Sequence, residues 1–106
     1  MTSEKNLERY QILFNENKYS EIYNDLSHQL ESISDKYILN VYALTCMQLG
    51  KDQEAVNTIT KAISESKEDD FYIINNAGGI FLKINDNTNA IKYLEKAILL
   101  KPKSIS

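Results

Sequence analysis

Apolar residues recur at helical spacing in two segments that repeat each other 35 positions apart. The earlier segment places its apolar residues at Ala55, Val56, Ile59, Ala62 and Ile63. The later segment places them at Ala90, Ile91, Leu94, Ala97 and Ile98. Spacings of this kind form one stripe along an amphipathic helix. A repeat of this length indicates helix pairs that stack on one another, because a single pair cannot bury its apolar face alone.

Extending the repeat over the whole chain predicts an all-α fold of six helices in three antiparallel pairs. The helices are expected at about residues 4–16, 19–32, 36–49, 52–66, 71–84 and 87–101. Ser34 and Asp35 supply side-chain oxygens that cap the third helix, and Asp69 and Asp70 cap the fifth. Gly50 suits the left-handed residue that closes a helix, and Pro102 ends the sixth helix. No run of the sequence alternates with the period of two that favours strands.

The second predicted helix follows this pattern less closely than the fourth and the sixth. Its apolar stripe contains Ile22, Tyr23 and Leu26, and it continues with Gln29 and Leu30. Gln29 stands where the later copies have an alanine, and alanine allows two helix backbones to approach closely. The first pair is therefore expected to be the least regular of the three.

Composition and charge narrow the class of protein. The 106 residues fit a single domain over residues 1–106, with 42% hydrophobic and 25% charged residues. The net charge is −3 and Arg9 is the only arginine, so we expect no nucleic-acid partner. No stretch approaches the roughly 20 apolar residues of a membrane span, so we expect no membrane partner. Cys46 is the only cysteine, which excludes an internal disulfide and favours a reducing, cytoplasmic location.

The groups that could carry chemistry favour structural roles. A catalytic site needs a nucleophile, a base and a group that orients the base. His28 is the only histidine, and Cys46 stands where packing needs an apolar side chain, so a buried thiol is expected. Asp69 and Asp70 precede a helix, where carboxylates cap free N–H groups rather than bind a metal. We therefore expect no enzyme, no cofactor and no metal site.

The two clear copies resemble the tetratricopeptide repeat. Its signature is W-x2-L-G-x2-Y, then A-x3-F, a further alanine and a closing proline. The matching residues of the last copy are Ile74, Ala77, Gly78, Phe81, Ala90, Leu94, Ala97 and Pro102. Those of the middle copy are Leu39, Tyr42, Ala43, Cys46, Ala55, Ile59 and Ala62. The first copy lacks both alanines and the proline, but its turn, Lys18-Tyr19-Ser20-Glu21, is typical of the family.

The resemblance implies a short right-handed superhelix, an alpha-alpha solenoid, with repeats at about residues 4–34, 36–67 and 70–103. In the family, the first helix of each pair lines the concave face, which is the usual binding surface. Carrying the register across gives the candidate partner-binding residues Gln11, Phe14, Tyr37, Asn40, Leu44, Met47, Tyr72, Asn75, Gly79 and Leu82, with Glu4 and Leu7 completing the columns. Two interpretations stay open for Phe14, Met47 and Leu82, which either contact a partner or pack against the next helix pair.

The resemblance also disfavours one well-known partner of the family. Members that hold the acidic tails of heat-shock chaperones use a clamp of basic residues and asparagines on the groove-lining helices. The corresponding positions here hold Leu7, Gln11, Val41, Asn75 and Gly79, none of them basic. A different protein partner is therefore expected.

Several functions are compatible with this fold. The leading expectation is a non-enzymatic interaction module that binds a peptide or helix of a partner protein in its concave groove. One alternative is a small secretion-type chaperone, which rests on size and family alone. Another is a self-assembling module, in which Tyr93, Leu99 and Leu100 form an apolar surface on the sixth helix and mediate a homodimer. A further explanation of that surface is that the next helix of a longer repeat protein covers it.

Overall fold

The computed structural model describes the backbone of residues 3–101 and the side chains of residues 6–101. Along these residues six α-helices follow one another: α1 (Ser3–Asn15), α2 (Tyr19–Leu26), α3 (Lys36–Gln48), α4 (Asp52–Glu65), α5 (Phe71–Lys83) and α6 (Asn87–Leu100). The described part of the chain contains no strand, so the prediction of an all-α fold is confirmed. The side chain of Glu4 and the residues Pro102 and Lys103, which entered the predictions, lie outside the described residues.

The helices pack as three stacked pairs. The most extensive packing is within the second and third pairs, between α3 and α4 and between α5 and α6. The stack is built by α3, which packs on α1 and α2, and by α5, which packs on α3 and α4. Connections of a few residues make the two helices of a pair antiparallel. No helix within residues 3–101 is long and apolar enough to cross a lipid bilayer.

The same turn joins the two helices of every pair. Its central residue has a positive φ angle in all three copies: 62° at Asn17, 78° at Gly50 and 67° at Asn85. The amide of the following residue donates to a carbonyl five positions earlier, at 2.8–2.9 Å in each turn. This left-handed closure satisfies carbonyls that a helix end leaves free, and glycine and asparagine adopt it most easily. The prediction for Gly50 is confirmed. The same turn is also present in the first pair, although the sequence of that pair is the least regular.

Aspartates begin α3 and α5, as predicted. Asp35 Oδ1 accepts hydrogen bonds from the amides two and three residues further on, at 2.9 and 3.3 Å. Asp70 Oδ1 does the same for α5, at 2.9 and 3.2 Å. Each cap satisfies donors that the first helical turn leaves unpaired.

The prediction that the second helix runs to residue 32 is wrong. α2 ends at Leu26, and a single 3-10 turn, Leu30–Ser32, follows after a bend. In the later copies a buried alanine occupies this position, and burying the amide of Gln29 without a hydrogen-bond partner would cost free energy. Instead Gln29 is exposed, and its Nε2 donates to the carbonyl of Asp25 at 2.9 Å.

In this first pair, hydrogen bonds between side chains help to hold the two helices together. Asp25 Oδ2 accepts from the Tyr10 hydroxyl at 2.6 Å and from Arg9 Nη1 at 2.7 Å. These hydrogen bonds, first from Tyr10 and then from Arg9, lower the pKa of Asp25. Burial and the bond to Asp25 raise the pKa of Tyr10 to about 12. The 3-10 turn is tied to the next pair by Lys61 Nζ, which donates to the Leu30 carbonyl at 2.8 Å.

The alanine stripe lies in the core, but two of its isoleucines do not. Ala55, Ala62, Ala90 and Ala97 are all at least 98% buried, as their close-approach positions predict. Ile91 and Ile98 were expected in the same stripe, yet 56% and 70% of their surfaces are exposed. The expectation is wrong because burial of this stripe depends on the helix that follows. In α4 the equivalent residues, Val56 and Ile63, are half-buried, and α5 packs on α4. Within the described residues no helix follows α6 to cover its stripe in the same way.

Candidate functional site

The three odd-numbered helices lie side by side and form one continuous surface, which we call the groove face. It comprises the candidate partner-binding residues of α1, α3 and α5. Its helices are joined directly, since α3 packs on both α1 and α5. Asn76 Nδ2 of α5 also donates to Asn40 Oδ1 of α3 at 3.1 Å.

Tyrosines stand at the beginning of α3 and of α5 on this face. The side chain of Tyr37 is 39% exposed, and its hydroxyl donates to Asp70 Oδ2 at 2.6 Å. This bond raises the pKa of Tyr37 above its usual value. Tyr72 is 61% exposed and packs edge to face on Phe71, with ring centroids 5.1 Å apart. Tyr37 is therefore held in place, while the Tyr72 ring presents a free face to solvent.

The asparagines of the second column have different environments. Asn40 is half-buried and bonded to Asn76, whereas Asn75 is exposed. Leu7, which begins the column on α1, is half-buried and packs against the core. Of this column, Asn75 is the residue whose amide is presented to solvent on the groove face.

A depression of about 240 Å³ opens between α1 and α3. Its lining consists of Gln11, Phe14, Asn15, Val41 and Leu44. Three of these side chains are apolar, and two are amides that lie exposed at its edge. Such a combination of apolar wall and polar rim is typical of a site that takes up one side chain of a partner.

The last column divides between the two interpretations left open by the sequence. Phe14 and Met47 are half-buried and pack against the core, and Phe14 also meets Tyr19 edge to face at 5.2 Å. Leu82, by contrast, is 55% exposed. Phe14 and Met47 thus have a packing role and keep one edge on the surface, while Leu82 is available to a partner.

Adjacent glycines on α5 have opposite environments. Gly79 lies on the groove face, and a Cβ atom placed there would meet no atom within 4 Å. Gly78 faces α6, and a Cβ atom there would lie 2.6 Å from Cδ2 of Leu94. Packing of the two helices requires that position 78 carries no side chain. At Gly79 the absence of a side chain leaves open space on the surface.

Some residues of the groove face are missing from the sequence-based set. Asn15 and Gln48 are exposed one position after the last column, and Val41 and Asn76 lie one position after the second. The signal was present for Asn15, Gln48 and Asn76, because the exposed or half-buried arc of a helix is wide enough to hold both residues of such neighbouring pairs. Val41 is buried and contributes only as part of the wall of the depression. A column defined by one residue per repeat therefore samples only part of the surface.

The surface of α6 differs from the one predicted. Tyr93 is half-buried and stacks on Phe81, with ring centroids 5.5 Å apart and planes 5° apart, so its placement on the outer surface is wrong. Leu100 is also half-buried, whereas Leu99 is 86% exposed, as predicted. The exposed apolar residues of α6 are Ile91, Ile98 and Leu99.

Cys46 lies in the core, as expected. Its side chain has no exposed surface, and burial raises the pKa of its thiol to about 11. Tyr42 beside it is also fully buried, and burial raises its pKa. Tyr42 stacks on Tyr23 at 5.6 Å, and the hydroxyl of Tyr23 donates to Glu54 at 2.9 Å. A thiol that is buried and neutral is a packing group rather than a nucleophile.

Comparison with known protein families identifies the class of the chain. The model of the tetratricopeptide repeat family matches residues 37–69 and 72–104, which together make up more than half of the sequence. The chain belongs to the tetratricopeptide repeat family, as its sequence predicted. This family is a non-enzymatic repeat scaffold whose members generally bind other proteins. Comparison with curated proteins and with solved structures finds no match.

Proposed function

We propose that the chain is a non-enzymatic interaction module that holds an extended segment of a partner protein on its groove face. The observation that carries the proposal is the exposure of Tyr72 and Leu82 on α5, on the same groove face as the depression between α1 and α3. Exposed aromatic and aliphatic groups are a common feature of recognition surfaces. Asn75 adds an amide that can both donate to and accept from a peptide backbone.

The proposal includes three features of the fold that the sequence predicted. The chain contains three repeats, of which the first helix pair is a diverged one. The left-handed turn at Asn17 supports this. The 106 residues form one domain, supported by the packing of each pair on the next. The stack is right-handed, with the groove face on its concave side, as in the family.

The setting of the module is also part of the proposal. The partner is a protein rather than a nucleic acid, supported by the net charge of −3 and the single arginine. A reducing, cytoplasmic location is supported by the lone cysteine, which is buried in the core.

Site-specific photo-crosslinking tests the groove face directly. A photo-reactive phenylalanine analogue is placed at position 72, and in the control at the exposed position 57 of α4. We expect a partner from native extract to crosslink at position 72 and not at position 57.

The purified partner should then bind Tyr72→Ala and Leu82→Ala about tenfold more weakly or worse, since truncating a central anchor costs more than 1 kcal/mol. Asn57→Ala, a truncation of an exposed residue of α4, should bind as the parent does. Equal crosslinking at both positions contradicts the proposal.

A second candidate function, self-association through α6, is supported by the exposure of Ile91, Ile98 and Leu99. The surface is self-complementary in charge. Under a two-fold axis near residue 94, antiparallel α6 helices place Ile91 over the partner's Ile98 and Lys92 beside the partner's Glu95. Among the side chains that the structure describes, the opposite end of the stack is less apolar, because α1 exposes Glu8 and Arg9 there, beside Ile12. An isologous dimer is therefore favoured over head-to-tail stacking.

A further inference from the structure

The charged residues of the chain are almost absent from the helices that form the centre of the groove face. Charged residues make up 25% of the whole sequence. Of the 13 residues in α3, Lys36 alone is charged, and of the 13 in α5, Lys83 alone. These two lysines stand at the first position of α3 and the last position of α5. The surface between them is electrically neutral.

Among the side chains that the structure describes, the charges nearest to this surface are occupied or lie at its edges. Asp70 accepts from the Tyr37 hydroxyl and from two backbone amides, and Lys36 Nζ lies 3.8 Å from its carboxylate. Glu8, at the position that corresponds to Val41, lies on α1 at the outer edge of the groove face. A charged side chain of a partner would therefore find no opposite charge at the centre.

Amide side chains take the place of charges on this surface. Exposed amides are contributed by each odd-numbered helix: Gln11, Asn15, Gln48 and Asn75. Each amide offers donors and an acceptor, which is what the alternating N–H and C=O groups of an extended peptide need. The bond between Asn40 and Asn76 satisfies one amide internally and fixes α3 against α5. The exposed amides keep their capacity for a ligand.

We infer that the segment bound on the groove face is uncharged where it crosses α3, and that it places one apolar side chain in the depression between α1 and α3. The inference rests on the proposed function and names the chemistry of the partner. Bringing a charge onto a neutral amide and apolar surface removes its water without supplying a counter-charge. The surface therefore selects against charged segments, and its affinity is nearly independent of salt.

A displayed library of random peptides tests this chemistry. An extended peptide advances about 3.3 Å per residue, so peptides of about ten residues span the 30 Å width of the molecule. Selection on the full chain should enrich sequences that lack charge over their central residues and carry Leu, Ile, Met or Phe there. A selected peptide, synthesised with blocked ends, should change its Kd by less than about twofold between roughly 0.05 and 0.5 M NaCl.

A charge placed on the surface provides the matched control. The double variant Gln48→Lys with Asn75→Lys should select acidic peptides, whereas Asn57→Lys on the exposed surface of α4 should select the same peptides as the parent. Enrichment of Asp, Glu, Lys or Arg by the parent chain, lost in Tyr72→Ala, overturns the inference and leaves groove binding intact. Enrichment that Tyr72→Ala and Leu82→Ala do not alter, or no enrichment at all, overturns the proposed function and the inference together.

Discussion

The Tyr37 hydroxyl donates a 2.6 Å hydrogen bond to Asp70 Oδ2, and this bond joins the second helix pair to the third. The other carboxylate oxygen of Asp70 caps α5 through two backbone amides. One aspartate thus begins a helix and ties it to the helix of the preceding repeat. Partial burial alone would raise the pKa of Asp70, but the bonds from Tyr37 and from the amides of Ile73 and Tyr72, with the nearby Lys36, lower it.

The stability contributed by Asp70 should depend on pH. A carboxylate whose folded pKa is depressed stabilises the native state above its unfolded pKa, near 3.9, and this contribution is lost as pH falls through the folded value. We expect Asp70→Asn, which keeps capping ability, to be about 1 kcal/mol less stable than the parent at neutral pH. The difference should vanish in acid. Urea unfolding of both chains at several pH values measures it, and a difference that does not change with pH contradicts the assignment.

The hydroxyl partner of the same bond can be tested separately. Tyr37→Phe removes the donor and keeps the ring, so we expect a loss of about 0.5–1 kcal/mol in the free energy of unfolding. The exposure of Tyr37 limits the effect, because water can replace the lost donor. Tyr72→Phe is the control, since Tyr72 begins α5 at the equivalent position and its hydroxyl should contribute little. Equal losses in the two variants would argue that the interhelix bond does not form.

Alanine substitutions at the adjacent glycines of α5 should change the stability of the chain in opposite directions. Gly79→Ala gains helix propensity and adds a methyl group in open space, so the chain should become about 0.5–1 kcal/mol more stable. Gly78→Ala gains the same propensity but forces the methyl group into Leu94, and overpacking should leave the chain about 1 kcal/mol less stable. Thermal unfolding compares the two. Stabilisation by both changes would mean that α5 and α6 are farther apart than described.

The thiol of Cys46 should be unreactive in the folded chain. It has no exposed surface, and a pKa of about 11 leaves little thiolate at mildly alkaline pH. We expect an aromatic disulfide reagent to modify it only as fast as the protein opens, and fully once denaturant is added. Fast modification with an unchanged circular dichroism spectrum would place the thiol at the surface instead.

Self-association through α6 can be measured by light scattering after size exclusion. At about 100 μM chain, a dimer with a Kd of about 10 μM would be the main species. Ile98→Glu should convert it to monomer without loss of helix content, while Ile12→Glu on α1 should leave it dimeric. A parent chain that is monomeric at this concentration excludes the dimer. Tyr93→Glu should instead destabilise the fold, because Tyr93 stacks on Phe81.

Helix positions, caps and turns could be predicted because they depend on local chemistry. As caps and turn residue, Asp35, Asp70 and Gly50 each act on backbone groups within a few residues of their own position. The extent of α2 could not be predicted in the same way. Its end depends on the environment of Gln29, and only the packed structure shows that this side chain stays exposed and bonds to the Asp25 carbonyl.

The surface was harder to predict than the core. The repeat correctly aligned Ala62 with Ala97, but it carried Ile98 into the core with them. Equivalent positions in two repeats have the same environment only if a following helix packs on both in the same way. α4 has such a neighbour in α5. The pairing of Asn40 with Asn76, rather than a free Asn40, is another contact between repeats that spacing within one helix does not reveal.

The stacking of pairs on their neighbours determines how the molecule should open. In such a linear array each unit is stabilised mainly by those next to it, so amide hydrogens of α3 and α4 should exchange with solvent more slowly than those of α6. A segment bound across α1, α3 and α5 would contact all three pairs at once. It would couple units that otherwise fluctuate separately, and the whole chain would then exchange as one cooperative body.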